Sequence, residues 1–532
     1  MVPCTKVASM AANLPDNVPA AAMKAALEAF RKVVGEDWFF GPGHERLTSY
    51  GDAMPIDDPG RYAPHAAVAP ADVEQVRAIL AVANQYRVPL WTFSTGRNFG
   101  YGGAAPRTAG SVVVDLARMN RIIEVNEEFA YCVVEPGVTY FQLYEYLQAK
   151  KFNLWLSPPE PGWASVMGNA LDHGVGYTPI GDNFGFSCGM EVVLADGDLV
   201  RTGMGAMSRS NTWQLFKYGF GPTVDGLFGQ SNLGIVTKMG MWLMPAPPAY
   251  RSYMITFPRE SDLHQVVEIM RPLKISQIFQ NAGMIVPWSY EACVTAPRTA
   301  FWGGTGPLPE ADKQNLIDKL GIGYWNIYGA QYGTPGSIAE QWAIIKGAFS
   351  QVAGAKFYFA EDRPELVGLK MRNLLAKGVP NMGTFNLLNW VPNAAHVGLS
   401  PISPTTGDDA TKLYALLKEE AESAGCDYIG GFVVGWRELH NILMFIYDKT
   451  DSVARNRVRS TVSRLISKTA SMGYGDYRTH IAFMDDVAQS YDFNNNALLR
   501  MTERIKDALD PNGILSAGKS GIWPKALRKK RK

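Results

Sequence analysis

The sequence predicts an α+β protein of more than one domain, and three observations carry that expectation. Apolar runs of strand character alternate with helical periodicities through the first third of the chain. At 532 residues it exceeds what a single core supports. A proline-rich connector, Met244-Pro-Ala-Pro-Pro-Ala-Tyr250, then separates this part from a second region of mixed helix and strand.

Taken in order, Ala20 to Val34 reads as a helix. Asp72-x-x-Gln75 resembles a capping box, and Val73, Val76, Ile79, Leu80 and Ala83 follow at helical spacing. Val88 to Phe93 and Ser111 to Leu116 read as buried strands, Arg121 to Val125 and Ala130 to Glu135 as further strands, and Tyr140 to Lys150 as a helix. Residues 156–189 are a long glycine-bearing loop, a feature more often functional than filler. Gly189 to Asp198 is a strand ending in a turn, and Ser231 to Lys238 with Met239 to Met244 reads as a strand pair. Beyond the connector come a strand at Tyr253 to Phe257, helices at Asp262 to Arg271 and Ala410 to Ala424, and strands across Val433 to Tyr447. A last helix, Ala497 to Leu509, is stopped by Asp510-Pro-Asn-Gly513.

Net charge is +1, so no global field favours nucleic acid or an acidic membrane surface as partner. The closing Ala-Leu-Arg-Lys-Lys-Arg-Lys532 reads as a solvated basic tail. The five cysteines are scattered without close pairs, which argues against a disulfide framework or a metal knuckle and suits a reducing compartment. No secretory signal or membrane-spanning stretch is visible. A soluble, intracellular, cytoplasmic protein without a metal is the expectation, with a peroxisomal location the alternative for a fungal source, although the C-terminus shows no clear signal for it.

Attention falls on Ser94-Thr-Gly-Arg-Asn-Phe-Gly-Tyr-Gly-Gly-Ala-Ala-Pro-Arg107, where four glycines fall within eight positions. Such a run can turn successive N–H groups inward as a nest for phosphate oxygens. No Gly-Lys-Ser/Thr follows, so it is not a Walker loop. Gly100-x-Gly102-x-x-Ala105 matches the dinucleotide fingerprint formally, but that fingerprint must open a helix, and here Pro106 and another strand follow. An ordinary glycine-rich loop remains the plain alternative. Two further places invite chemistry. His396 lies among small residues that leave its ring room to meet a bulky ligand, although a lone histidine is more often simply packed. Tyr477-Arg478 pairs a phenol donor with a permanent cation, a suitable grip for an anionic oxygen, although a solvated arginine is the default.

These pieces gain meaning together. Ser94 to Arg107, Val134 to Tyr140, Gly174 to Asp182, Ser231 to Lys238, the His396 segment, Gly475 to His480 and Asp510 to Trp523 occur in the order and spacing of one family. From about residue 70 to Trp523 the chain resembles the 4-phenol oxidising flavoproteins: vanillyl-alcohol oxidase, eugenol oxidase and p-cresol methylhydroxylase. The resemblance implies an FAD-binding domain built from residues 1–244 and 474–532, with a cap domain over 245–473. It implies that Ser94, Thr95, Gly96, Arg97, Asn98, Gly100, Gly102 and Gly103 cradle the FAD pyrophosphate, and that Tyr177, Asp182 and Lys519 also meet the cofactor. His396 falls where the family's oxidases link histidine to FAD covalently. Tyr101, Tyr477 and Arg478 match the residues that hold the substrate phenol as phenolate, so that hydride leaves the para side-chain carbon for the flavin and a quinone methide results. O2 would then be reduced to H2O2; a cytochrome or other acceptor is the alternative within the family, and a nucleotide-binding scaffold without redox activity the alternative outside it.

Several departures qualify the resemblance. Glu160 stands where the oxidases carry an aspartate near the flavin, one methylene longer, and Ser157 replaces an earlier aspartate of that loop. Asp476 replaces the glutamate before the Tyr-Arg pair. Ile180, Asn183 and Gly398 replace bulkier or ring-bearing residues, from which a reshaped, roomier pocket is expected. The insertion that supports octamers in one member is missing between Ala206 and Trp213, so a homodimer is expected.

Overall fold

The protein is described by a computed structural model covering residues 14–15 and 17–528; Cys4 and the last four residues of the basic tail lie outside the described residues. The first of its sheets places Phe39–Phe40, Ala66–Val68, Val112–Asp115 and Leu90–Phe93 side by side in that order. The last three strands are parallel. A parallel neighbour requires a crossover from one end of the sheet to the other. Between Leu90–Phe93 and Val112–Asp115 that crossover is the glycine loop, without a helix anywhere in it. The dinucleotide-fingerprint reading therefore fails. The loop nonetheless leaves from the carboxyl end of a parallel strand, where open sheets collect ligands.

The C-terminal segment completes this edge. Leu90 N donates to Ile514 O at 2.7 Å, and Ser516 N donates to Leu90 O at 2.9 Å. Buried Lys506 staples it there: Nζ donates to Asn232 O at 2.7 Å and Leu515 O at 2.8 Å, and pairs with Asp510 Oδ2 at 2.7 Å. Removing one partner from a buried ion pair leaves the other charge uncompensated, so Lys506→Met is expected to cost about 3–5 kcal/mol. Urea unfolding measures it; an unchanged midpoint contradicts the assignment.

A second sheet, antiparallel, has the order Ile122–Asn126, Tyr131–Val134, Ile235–Trp242, Ser187–Val193 and Leu199–Arg201. The pair expected over 231–244 is a single strand instead. Within it, Gly240 sits where a Cβ would lie 2.2 Å from Cys188 O, and the register against Ser187–Val193 shifts between Met239 and Met241. Glycine here serves close approach at a bulge. The helix at Tyr140–Lys150 starts from a capping box in which Thr139 and Gln142 exchange hydrogen bonds. At Val73–Tyr86 the box is displaced by one residue: Asp72 accepts from Gln75 N, while Gln75 Oε1 accepts from Ala71 N.

The largest sheet is antiparallel with eight strands. Its path runs Lys356–Phe359, Ala249–Phe257, Trp325–Gly333, Met284–Pro287, Ile429–Val434, Glu438–Asp448 and Ala394–Leu399, and Ile402–Pro404 also pairs with Glu438–Asp448. The proline connector leads into it through Met244–Pro245, which pairs with Leu154–Trp155. Helices Leu263–Ile275 and Gly407–Ser423 pack together against this region's core. His396 lies on the terminal strand of the path, opposite Ile446, and this edge meets the glycine loop. Cys132, Cys188, Cys293 and Cys426 are free and buried. Among the described residues no helix is long and apolar enough to cross a membrane, and no group of side chains is arranged to hold a metal.

Candidate active site

Where the glycine loop, the edge of the large sheet and the C-terminal segment converge lies a cavity of about 330 Å³. Of the residues singled out from sequence, Ser94, Thr95, Gly96, Arg97, Asn98, Tyr101, Gly103, Glu160, Tyr177, His396, Tyr477, Arg478 and Lys519 line it. The amides of Thr95 through Gly100 find no protein acceptor among the described residues. A run of free N–H groups at a cavity wall is a nest for anionic oxygens.

Gly100 and Gly102 stand behind this wall. Gly100 has φ +80°, and a Cβ there would lie 2.4 Å from His396 Nε2; at Gly102, φ +103°, a Cβ would meet Ile481 at 2.8 Å. Space for the His396 ring thus comes from Gly100 across the interface, not from the small residues beside the histidine. Ala395 and Val397 alternate to the other face and are buried. Burial pushes the His396 imidazole down to about 4, so it is neutral at pH 7, and its Nδ1 is buried with no protein partner.

Two residues along the same strand, Gly398 leaves room for Tyr101, whose hydroxyl would lie 3.1 Å from a Cβ at that position. That hydroxyl accepts from Arg478 Nη2 at 3.2 Å, and the guanidinium lies 4.3 Å from the centre of the Tyr101 ring. Tyr477 completes the group, its ring centre 5.8 Å from the guanidinium and its carbonyl held by Gln230 Nε2 at 3.0 Å. Burial pushes the Tyr477 hydroxyl up to about 12 against the pull of Arg478, so it remains a donor at neutral pH. Gly398 itself lines the cavity, and Tyr101 takes part of the space beside it.

Across the cavity, Glu160 is held by Tyr177, expected from the sequence, and by Arg372 and Thr384, which sequence does not single out. Arg372 Nη2 bonds both Glu160 Oε1 and Tyr290 Oη, Thr384 Oγ1 donates to Glu160 Oε2 at 2.9 Å, and Tyr177 Oη donates to Oε1 at 3.3 Å. Burial opposes the charge, but Arg372 and these donors hold the carboxyl below the ordinary glutamate range. Arg372 itself is buried, stacked 4.7 Å from the Tyr177 ring centre. Its one signal in sequence is a cation within the apolar stripe Gly368, Leu369, Arg372, Leu375, Ala376 of the helix Val367–Ala376. Nor does sequence single out Asp172. It pairs with Lys519 at 3.1 Å and accepts from Asn98 Nδ2 at 2.8 Å, which anchors the loop to the C-terminal segment.

Asp182 does not join the cavity lining; its carboxylate accepts from Gly185 N at 2.8 Å and closes a turn. Ser157, Ile180 and Asn183 lie outside the lining too, so those replacements do not enlarge it. Asn183 Nδ2 instead donates to Asn169 Oδ1, Tyr140 Oη and Ser157 O, which ties two loops together.

A nest of unpaired amides, a neutral histidine facing the loop and a cation between two phenols suit a phosphate-bearing cofactor beside a small anionic ligand. They fit an FAD-dependent oxidoreductase, and the comparisons establish that class. The profile of the "FAD binding domain" family matches residues 64–203, and that of "FAD linked oxidases, C-terminal domain" matches residues 323–520. The chain is 38% identical over 513 residues to the 4-cresol dehydrogenase [hydroxylating] flavoprotein subunit of Pseudomonas putida, covering 96% of this chain and 98% of that one. It superposes on 4-ethylphenol oxidase from Gulosibacter chungangensis, in its isoeugenol complex, with a TM-score of 0.95 at 41% identity over 97% of this chain and 100% of the other. On substrate-bound p-cresol methylhydroxylase the TM-score is 0.93 at 38% identity, over 96% and 99%. The chain belongs to the family of FAD-dependent 4-phenol oxidising flavoproteins, with the FAD-binding fold and the cap of p-cresol methylhydroxylase.

Proposed function

We propose that this protein oxidises para-substituted phenols (4-alkylphenols, eugenol or vanillyl alcohol by type) at the para side-chain carbon. In this reading FAD is joined covalently to His396, and O2 is reduced to H2O2. The observation that carries the reading is the Tyr101–Arg478–Tyr477 group at the wall of a cavity that His396 and the amide nest also line. A free phenol has a pKa of ~10 and is neutral at pH 7. Beside Arg478 and two hydroxyl donors the anion is favoured, and each tenfold rise in the phenol's acidity takes ~1.4 kcal/mol of such stabilisation. The bound FAD supplies the hydride acceptor.

Loss of hydride from the para carbon turns the phenolate into a quinone methide. Glu160, kept ionised by Arg372, takes a proton from the water that adds to it, and the ring regains its aromaticity as a phenolate. A substrate that already bears a hydroxyl goes on to the carbonyl. Glu160→Gln is expected to lower the share of product carrying oxygen from labelled water about 10²-fold or more, within the ~10²–10⁴-fold range of general-base effects. Mass spectrometry of the product measures it; unchanged incorporation contradicts this role.

The same reading assigns residues 1–244 and 474–532 to the FAD-binding part and 245–473 to the cap, in a cytoplasmic homodimer. A second reading, transfer of electrons to a cytochrome or other protein acceptor, draws support from the resemblance to a cresol dehydrogenase. Stopped-flow mixing of the substrate-reduced enzyme with air decides between them. Fast reoxidation with stoichiometric H2O2 is expected, and sluggish reoxidation sinks the oxidase.

A further inference from the structure

Two phenyl rings join the glycine loop to the cap, and no step described so far uses them. Phe99 meets Phe385 edge to face, with ring centres 5.7 Å apart and planes at 74°. Both rings line the cavity. Both also pack against the large hydrophobic cluster of the cap region, whereas Ala104 and Ala105 of the same loop belong to another cluster. Phe99 is thus the side chain by which the loop plugs into the cap.

Each ring stands beside a group with an assigned task. Asn98 O accepts from Tyr101 N and Gly103 N, both at 3.1 Å, and Asn98 Nδ2 is tied to Asp172. This anchored turn fixes Phe99 relative to Tyr101 and the clamp. Phe385 follows Thr384, the residue that donates to Glu160 Oε2, in the short helix Gly383–Trp390. That helix packs on Trp288–Thr295, which carries Tyr290, the other partner of Arg372. The wall behind Phe385 is therefore part of the frame that holds Glu160, and it cannot recede without disturbing that frame.

Under the phenol oxidation proposed above, on which this role depends, a phenol whose oxygen lies at Arg478 turns its para carbon toward Glu160. Anything attached beyond that carbon extends along the wall where Phe385 stands next to Thr384. We propose that the Phe99–Phe385 pair sets the size of the para substituent: short 4-alkyl groups fit, and longer or branched ones strike the rings. Aromatic rings are bulky and stiff, and in a close-packed wall each keeps the other from turning aside. One methylene in a hydrophobic pocket changes kcat/KM by about 10–200-fold, so a pair of rings closing the end of the cavity suffices for sharp selection.

The test is the rate of anaerobic flavin bleaching in the FAD-loaded protein, taken at low phenol concentration along the series from 4-methylphenol to 4-heptylphenol. In the wild type the second-order rate is expected to fall about tenfold or more between 4-ethylphenol and 4-heptylphenol. Phe385→Ala and Phe99→Ala should each raise the heptyl-to-ethyl ratio about tenfold or more, and Phe385→Leu should give an intermediate ratio. A merely structural role would slow both phenols alike, so an unchanged ratio in the alanine variants overturns the proposal. The wild type decides where a variant does not fold: a rate that stays level along the series overturns it too. In both cases bleaching by the short phenols leaves the phenol oxidation standing. Should no para-alkylphenol bleach the flavin, that oxidation itself fails, and the role of the pair with it.

Discussion

Replacing Arg478 with alanine is expected to lower kcat/KM for a para-alkylphenol by about 10²–10³-fold, because truncating one partner of a buried, hydrogen-bonded charge pair costs about 2–5 kcal/mol. The guanidinium reaches Tyr101 Oη at 3.2 Å and lies against both tyrosine rings, and in the proposed clamp it is the permanent positive charge that stabilises the phenolate. The phenol-induced absorbance change should vanish with it. Arg478→Lys keeps the charge but loses the planar fork, and partial recovery is expected. An Ala variant that titrates like the wild type contradicts the clamp.

Gly100→Ala is expected to abolish covalent flavin. The new Cβ would lie 2.4 Å from His396 Nε2, and the backbone there has φ +80°, which an L side chain rarely adopts. Acid precipitation reads the result directly: a yellow pellet for the wild type, a colourless one for the variant, with far-ultraviolet circular dichroism preserved. Gly43→Ala is the control: it shares the strain of a positive φ, +84°, but a Cβ there would have no neighbour within 4 Å and it lies outside the cavity lining, so the pellet stays yellow. His396→Ala should give a colourless pellet as well. A yellow pellet from that variant refutes the linkage.

Local signals explain how much of the fold is legible in the sequence. The helices at Ala20–Val34 and Tyr140–Lys150 are bounded as expected, because apolar spacing and polar flanks are short-range information. The run of unpaired amides in the glycine loop is legible for the same reason: it lies in consecutive backbone atoms. What escapes depends on partners far along the chain. The strand expected to divide after Lys238 runs on unbroken, because what orders Gly240, its close contact with Cys188, lies on another strand. Arg372 looks like an ordinary helical arginine; only folding brings it to Glu160, 212 residues away. His396 stands out in sequence, but its free space comes from Gly100 rather than from the small neighbours that suggest it. Asp182, in a glycine-rich block, closes a turn instead of meeting the cavity. Family resemblance supplies roles for residues, and the geometry sorts those that meet in one cavity from those that do not.

The central claim is that a para-alkylphenol, bound beside Arg478, delivers hydride to FAD held in the adjoining nest. Anaerobic titration of the FAD-loaded protein with a para-alkylphenol tests it most directly. The oxidised flavin absorbance is expected to bleach fully within about one equivalent per site, while the meta-alkyl isomer, which cannot form a para quinone methide, leaves it unchanged. A flavin spectrum that stays oxidised with the para isomer, or that bleaches equally with both isomers, would contradict it.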